Sequence, residues 1–206
     1  IIGLKENIGW AHFMRKYTVA YSICWLIMLI YIATVRITLK WLIIGKLRPG
    51  SYDFDKSSYI QRWKLNITIG WITRKVGADD LASHFNGTWY LCQFFRMHGA
   101  NIGKDVCLYP NGANPHMTEP DVVTIGDRAM LDQCSIIGHI NSRGKFSINQ
   151  VRIGAGACLR SWTRLQSGAE VEENGKMLEH TLVLGGDIVD AGSSVQGWPR
   201  SVTHTA

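Results

Sequence analysis

The sequence predicts a mainly β chain, a left-handed parallel β-helix of hexapeptide repeats preceded by a transmembrane helix and amphipathic helices. Three observations predict it: an aliphatic residue at every sixth position of the C-terminal half, small residues at a fixed offset from it, and one long uncharged run near the N-terminus. The organisation that follows is a membrane segment with its flanks over residues 1–50, a helical collar or cap over 51–100, and the β-helix over 101–206.

The six-residue period is the strongest signal. Stepping by six gives Ile153, Leu159, Leu165, Val171, Met177, Val183, Val189 and Val195, and an upstream block gives Ile125, Leu131 and Ile137 after a short start at Ile102 and Leu108. Ala129, Ser135, Ala157, Thr163, Ala169 and Gly175 follow four places after an aliphatic residue, and Gly103, Gly126, Gly138 and Gly154 follow directly. An amphipathic helix needs period 3.6 and a half-buried strand needs period two, so neither template explains the spacing. A β-helix does: each hexad supplies one inward aliphatic residue and a small residue near the corner, with glycine suited to unusual turn dihedrals. Stacked coils need a cap where they begin, a role for the stretch before Asn101.

The run from Tyr17 to Val35 carries no charge over nineteen residues and lies between Arg15 and Lys16 on one side and Arg36 on the other. That length spans a bilayer as a helix. The apolar stretch from Ile37 to Gly45, interrupted by Lys40, is too short to cross alone; it either extends the first helix or lies along the surface, and Arg48-Pro49-Gly50 ends any helix there. Trp63, Trp71, Trp89 and Tyr90, mixed with Arg62, Lys64, Arg74 and Lys75, fit amphipathic helices on a membrane or on the neighbouring domain.

A net charge of +6 raises the question of nucleic acid, but the basic residues are dispersed and many flank the apolar run, so no nucleic-acid partner is expected. The five cysteines include no C-x-x-C pair, which favours free thiols in a reducing compartment. The chain opens on Ile1 without a charged leader region and reads as a segment of something longer.

The period breaks at residues 109–124 and 141–150. Breaks in a solenoid map to loops on one face, often the binding face. The first holds His116, Glu119 and Asp121; the second follows His139. Acyl transfer to an amine or hydroxyl needs a general base, and histidine, with its ordinary pKa near neutrality, serves best. His139 is the candidate base; a solvent-facing turn residue is the plain alternative. Glu119 or Asp121 can orient an imidazole or hold an acceptor ammonium, or merely cap a turn. His116 is a weaker candidate, for substrate binding, and His98 and His180 are weaker still. Zinc chemistry on such a fold needs three converging histidines, whereas these are singletons, so no metal site is expected.

Several motifs carry a resemblance. Lys46-Leu47-Arg48-Pro49-Gly50-Ser51-Tyr52, Arg62-Trp63, His98-Gly99-Ala100-Asn101-Ile102-Gly103, the run from Thr118 through Glu119, Pro120 and Asp121 to Asp127, Gly138-His139, and the ending from Gly192 to Pro199 together resemble the C-terminal membrane region of nonribosomal-peptide-synthetase-like proteins of the poly-lysine-synthetase type. Arg128 departs from that pattern, where glycine is usual after the IGD run, as do Leu159-Arg160 and Val171-Glu172. The resemblance implies a terminal, amide-forming acyltransferase module. Upstream adenylation and carrier domains would activate an acid and load it on a phosphopantetheine thiol, so the fragment itself would bind no cofactor. It also implies assembly as a trimer or pseudo-trimer with other β-helix copies, with the chain integral to the lipid bilayer and the β-helix on the cytosolic side. A free-standing membrane O- or N-acetyltransferase using acetyl-CoA, or a non-catalytic membrane scaffold for the synthetase modules, would share these features.

Overall fold

The computed structural model describes residues 2–75, 81–112, 116–198 and 201–202. Residues 113–115 of the first break and Pro199 of the closing motif lie outside them.

The inward ladder of the hexads organises the C-terminal half. Ile153, Leu159, Leu165, Val171, Met177, Val183, Val189 and Val195 are all 2% exposed or less. Two- and three-residue strands carry them, paired in parallel into three sheets of five, six and four strands among the described residues, of which only Ser201–Val202 joins antiparallel. Ile153 pairs with Val171 and Val171 with Val189, so a regular coil is 18 residues, three hexads. Ile102 pairs with Ile125 and Ile125 with Ile153, so the two coils that carry the breaks are 23 and 28 residues long.

The register corrects one hexad position. Leu165 pairs with Ile136, not Ile137, and the small buried residue two places before it is Cys134 rather than Ser135. The corner from Leu131 to Ile136 is one residue shorter than the corner from Leu159 to Leu165. Adjacent isoleucines conceal such a slip from any period count.

The glycines after the aliphatic positions also act differently from expectation. A Cβ on Gly126 would lie 2.5 Å from the Ala155 nitrogen, and one on Gly154 2.6 Å from the Glu172 carbonyl carbon. They permit close approach of successive coils. The positive-φ position is the third residue after the aliphatic one, occupied by Asp105, Arg128, Gly156, Trp162, Gly168, Asn174, His180, Gly186 and Gly192. Arg128, the departure from the family pattern, stands at one of these with φ 57°, a conformation costing a non-glycine residue about 1 kcal/mol.

Helix α1 runs from Ile2 to Ile43 without interruption, so the stretch after Arg36 extends the first helix. It stops before Pro49, where Gly45 adopts φ 68° and donates to the Lys40 carbonyl, as glycine after a helix end commonly does. From Gly9 to Ile43 it is long and apolar enough to cross a membrane. Its second half packs on the rest of the chain: the Trp25 ring meets His84 at 5.5 Å and Leu29 is buried. Helix α2 (Ser58–Lys75) lies beside it. The Arg36 guanidinium lies against α2 at Gly70, where an added Cβ would be 2.5 Å from its tip. Helix α3 (Trp89–Met97) buries Leu91, Cys92 and Phe95 against the same core as Ile102 and Leu108 and covers the open end of the first coil.

The second break, expected as a loop, is a β-hairpin. Strands His139–Ser142 and Lys145–Ile148 pair antiparallel, and the strand Gly50–Asp53 adds to the hairpin's other edge. Phe146 and Ile148 point into a second core with Ile44, Leu47, Ile60, Trp63 and Val122. That core joins the helices to the β-helix at the level of the two breaks.

Candidate functional site

The two breaks meet. His139 begins the hairpin and Glu119 precedes the single turn Pro120–Val122 of 3-10 helix; His139 Nδ1 lies 2.8 Å from Glu119 Oε1. Glu119 is fully buried, and a carboxylate there is tolerable only with its acceptor sites filled. Trp63 Nε1 of α2 donates to Oε1 at 3.0 Å, Gly138 N donates to Oε2 at 2.9 Å, and the Thr118 hydroxyl also donates to Oε2. Gly138 is required for this approach, because a Cβ would sit 3.0 Å from Oε2 and 2.7 Å from Val122.

With an acceptor at Nδ1, the imidazole carries its proton on that nitrogen and leaves Nε2 as the basic atom. The ring is held between Phe146, stacked at 5.1 Å, and Trp63, edge-on at 4.9 Å. Its side chain is 17% exposed. A partly open imidazole, oriented by a buried carboxylate and fixed between two aromatic rings, has the arrangement of a general base with its orienting partner.

Asp121, two residues on, points elsewhere. Its carboxylate is buried and bonds Lys40 Nζ of α1 at 2.8 Å. Burial pushes the Asp121 carboxyl above the ordinary range, and the hydrogen bond and charge of Lys40 pull it back. Room for it comes from Gly99, where a Cβ would lie 2.3 Å from Oδ1. Asp121 therefore holds an ammonium group, but one from the chain's own first helix.

His139 faces a cavity of about 560 Å³ between the helices and the β-helix, a size that suits a small-molecule site. Ile32, Arg36 and Lys40 of α1, Trp63, Asn66 and Trp71 of α2, and His98, His116, Ile137, Arg164 and Gln166 are among its walls. His116 is exposed at this wall on the strand His116–Met117. His98 is 8% exposed with Nδ1 2.8 Å from the Phe94 carbonyl; burial, then the nearby Arg36 and Lys40, push its pKa down to about 4 against that hydrogen bond. It is a neutral imidazole at pH 7. His180 lies apart, stacked on Trp162 at a coil corner. Among the described residues no group of three or more His, Cys, Asp or Glu is placed to hold a metal ion.

The sequence singled out His139 and Glu119, which the structure brings together, but not Trp63, Lys40, Phe146 or Arg164, which pack around them or line the cavity. Arg62-Trp63 stood among the family motifs, and that was the one signal for Trp63.

No protein-family model matches the chain. A delta-poly-L-ornithine synthetase from Acinetobacter baumannii (strain AB307-0294) is 30% identical over 162 residues, 78% of this chain and 12% of the relative, so the chain spans about one eighth of that protein's length. Among solved structures, a hexapeptide-repeat-containing acetyltransferase from Vibrio cholerae is similar with TM-score 0.47 and 12% identity over 65% of this chain and 91% of its own. A maltose O-acetyltransferase from Clostridium difficile 630 gives 0.45 and 11% over 80% and 95%. A galactoside acetyltransferase in complex with coenzyme A gives 0.48 and 11% over 76% and 86%.

Proposed function

Starting from the chain's relationship to a segment of a delta-poly-L-ornithine synthetase, we propose that it is the amide-forming acyltransferase module of a carrier-fed synthetase, with His139 as general base and Glu119 as its orienting partner. The observation that carries the proposal is the 2.8 Å contact between His139 Nδ1 and the buried Glu119, at the wall of a cavity. His139 Nε2 takes a proton as an amine attacks the carbonyl of a carrier-bound thioester. The C–N bond forms, the C–S bond breaks, and the same nitrogen returns the proton to the departing thiolate. The donor in this reading is a phosphopantetheine thioester loaded by upstream adenylation and carrier domains, and the amino acid joined is of the kind the relative's name carries.

The rest of the reading follows the same premise. The coils are left-handed, as the resembled family implies, and 18-residue coils of three hexads support this. The bilayer is crossed by α1 with the β-helix on the cytosolic side, and five free cysteines suit that reducing compartment. Because α1 packs on the collar from Trp25 onward, the exposed Leu65, Trp71 and Ile72 of α2 lie at the headgroup level. Assembly with further β-helix copies, as a trimer or pseudo-trimer, belongs to this reading, although α1 and α2 already supply the cavity's second wall.

His139→Ala in the complete polypeptide tests it. Amide formation is expected to fall about a hundredfold or more, the scale of a lost general base, while carrier loading continues. Survival of product formation within a few fold would favour a scaffold, and acetyl transfer from acetyl-CoA without a carrier would replace the donor.

A further inference from the structure

The lining of the cavity is one-sided in charge. Arg36, Lys40 and Arg164 line it together with His98, His116 and His139, and no Asp or Glu is among the described residues of its wall. Lys40 is already matched by Asp121, and Glu119 is buried behind His139. Among the described residues of the wall no carboxylate is set against Arg164.

Arg164 stands out among these groups. It precedes the inward Leu165, so by strand alternation its side chain points outward. Its Nε is buried and has no hydrogen-bond partner among the described residues, an expensive state for a guanidinium donor. Parallel register puts His116, Ser135 and Arg164 in one outward column, because His116 pairs with Ser135 and Ser135 with Arg164. Adjacent coils lie about 4.8 Å apart, and only the small side chain of Ser135 stands between His116 and Arg164, which both line the cavity. Ile137 N, two residues before His139, donates to the Leu165 carbonyl next to Arg164, which ties this column to the dyad.

We propose that Arg164, with His116 on the same column, forms a subsite for the anionic end of a substrate, a carboxylate or a phosphate ester. A guanidinium fork matches either group with two hydrogen bonds. The proposal rests on the acyl-transfer reading for the reacting end of that substrate, which His139 serves. The carboxylate would come from an amino-acid acceptor, the phosphate from the pantetheine arm of the donor.

Binding to the complete protein in detergent micelles, followed by the fluorescence of the cavity tryptophans and by calorimetry, tests the subsite with two matched pairs of probes: L-ornithine against L-ornithinamide, and phosphopantetheine against pantetheine. In one pair, the member that carries the anionic group is expected to bind at least tenfold tighter than the member that lacks it. Arg164→Gln is expected to abolish that preference and Arg164→Lys to keep part of it. A preference in the first pair assigns the carboxylate, and one in the second the phosphate. Equal binding within both pairs, or a preference that survives Arg164→Gln, overturns the subsite. The His139→Ala protein separates the two ideas. An Arg164-dependent preference together with unimpaired amide formation in that variant sinks the base and keeps the subsite; lost amide formation without any preference in the wild type does the reverse.

Discussion

Trp63 and His139 donate to the same oxygen, Oε1 of Glu119, at 3.0 and 2.8 Å. One donor comes from a helix of the collar and the other from the hairpin of the β-helix, so the dyad is completed only where the two regions meet. Trp63→Phe keeps the ring packing but removes a hydrogen bond to a buried carboxylate, a loss of about 1–3 kcal/mol. Amide formation by the complete protein is expected to fall roughly tenfold on that scale. Glu119→Gln should cost about a hundredfold or more, because a neutral amide no longer fixes the imidazole tautomer. Steady-state rates within twofold of wild type for Glu119→Gln would remove Glu119 from the mechanism.

The Lys40 and Asp121 pair is buried on both sides, at 4% and 0% side-chain exposure. Lys40→Met leaves the carboxylate without its partner and is expected to destabilise the fold by about 3–5 kcal/mol, whereas the double variant Lys40→Met with Asp121→Leu should recover most of that loss. Thermal melts in one detergent compare the two. A double variant no more stable than the single one would mean that the pair does more than neutralise itself.

His98 makes stability depend on pH in a defined direction. Its folded pKa, pushed down to about 4, lies below the ordinary histidine value of about 6.5. The unfolded chain therefore binds the extra proton between those values. Stability contributed by the neutral ring is fully present above about pH 6.5 and is lost as pH falls toward 4, by up to about 1.4 kcal/mol per pH unit. His98→Asn retains a donor for the Phe94 carbonyl and should flatten the melting temperature across that window. An unchanged slope would show that other groups set it.

Leu165 is fully buried and sits mid-stack, paired with Ile136 on one side and Val183 on the other. Leu165→Asp would bury an unpaired carboxylate at a cost of several kcal/mol, and loss of the β signal in far-UV circular dichroism is the expected result. Retention of that signal with a cooperative melt would contradict the inward assignment.

The β-helix was legible because one inward residue per hexad is a local rule, and each of the eight downstream positions obeys it. Ile137 was misplaced because Ile136 beside it satisfies the same rule, and only the partner coil distinguishes them. Glu119 and His139 were both recognisable as polar groups at breaks, but their contact depends on a 28-residue coil bringing one break over the other, which no window of sequence contains. Trp63 and Lys40 looked like membrane-collar residues, since aromatic and basic side chains on apolar helices have that use by default. Their partners are carboxylates more than fifty residues away.

The strand Gly50–Asp53 completes the sheet of the hairpin that begins with His139. A cut at residue 101, where the first coil starts, would separate that strand from the hairpin and Trp63 from Glu119. A piece begun there would keep the coils but lose the strand, the indole and the ammonium group that pack against His139, Glu119 and Asp121; a piece that keeps all three begins on the first helix, at or before Arg36.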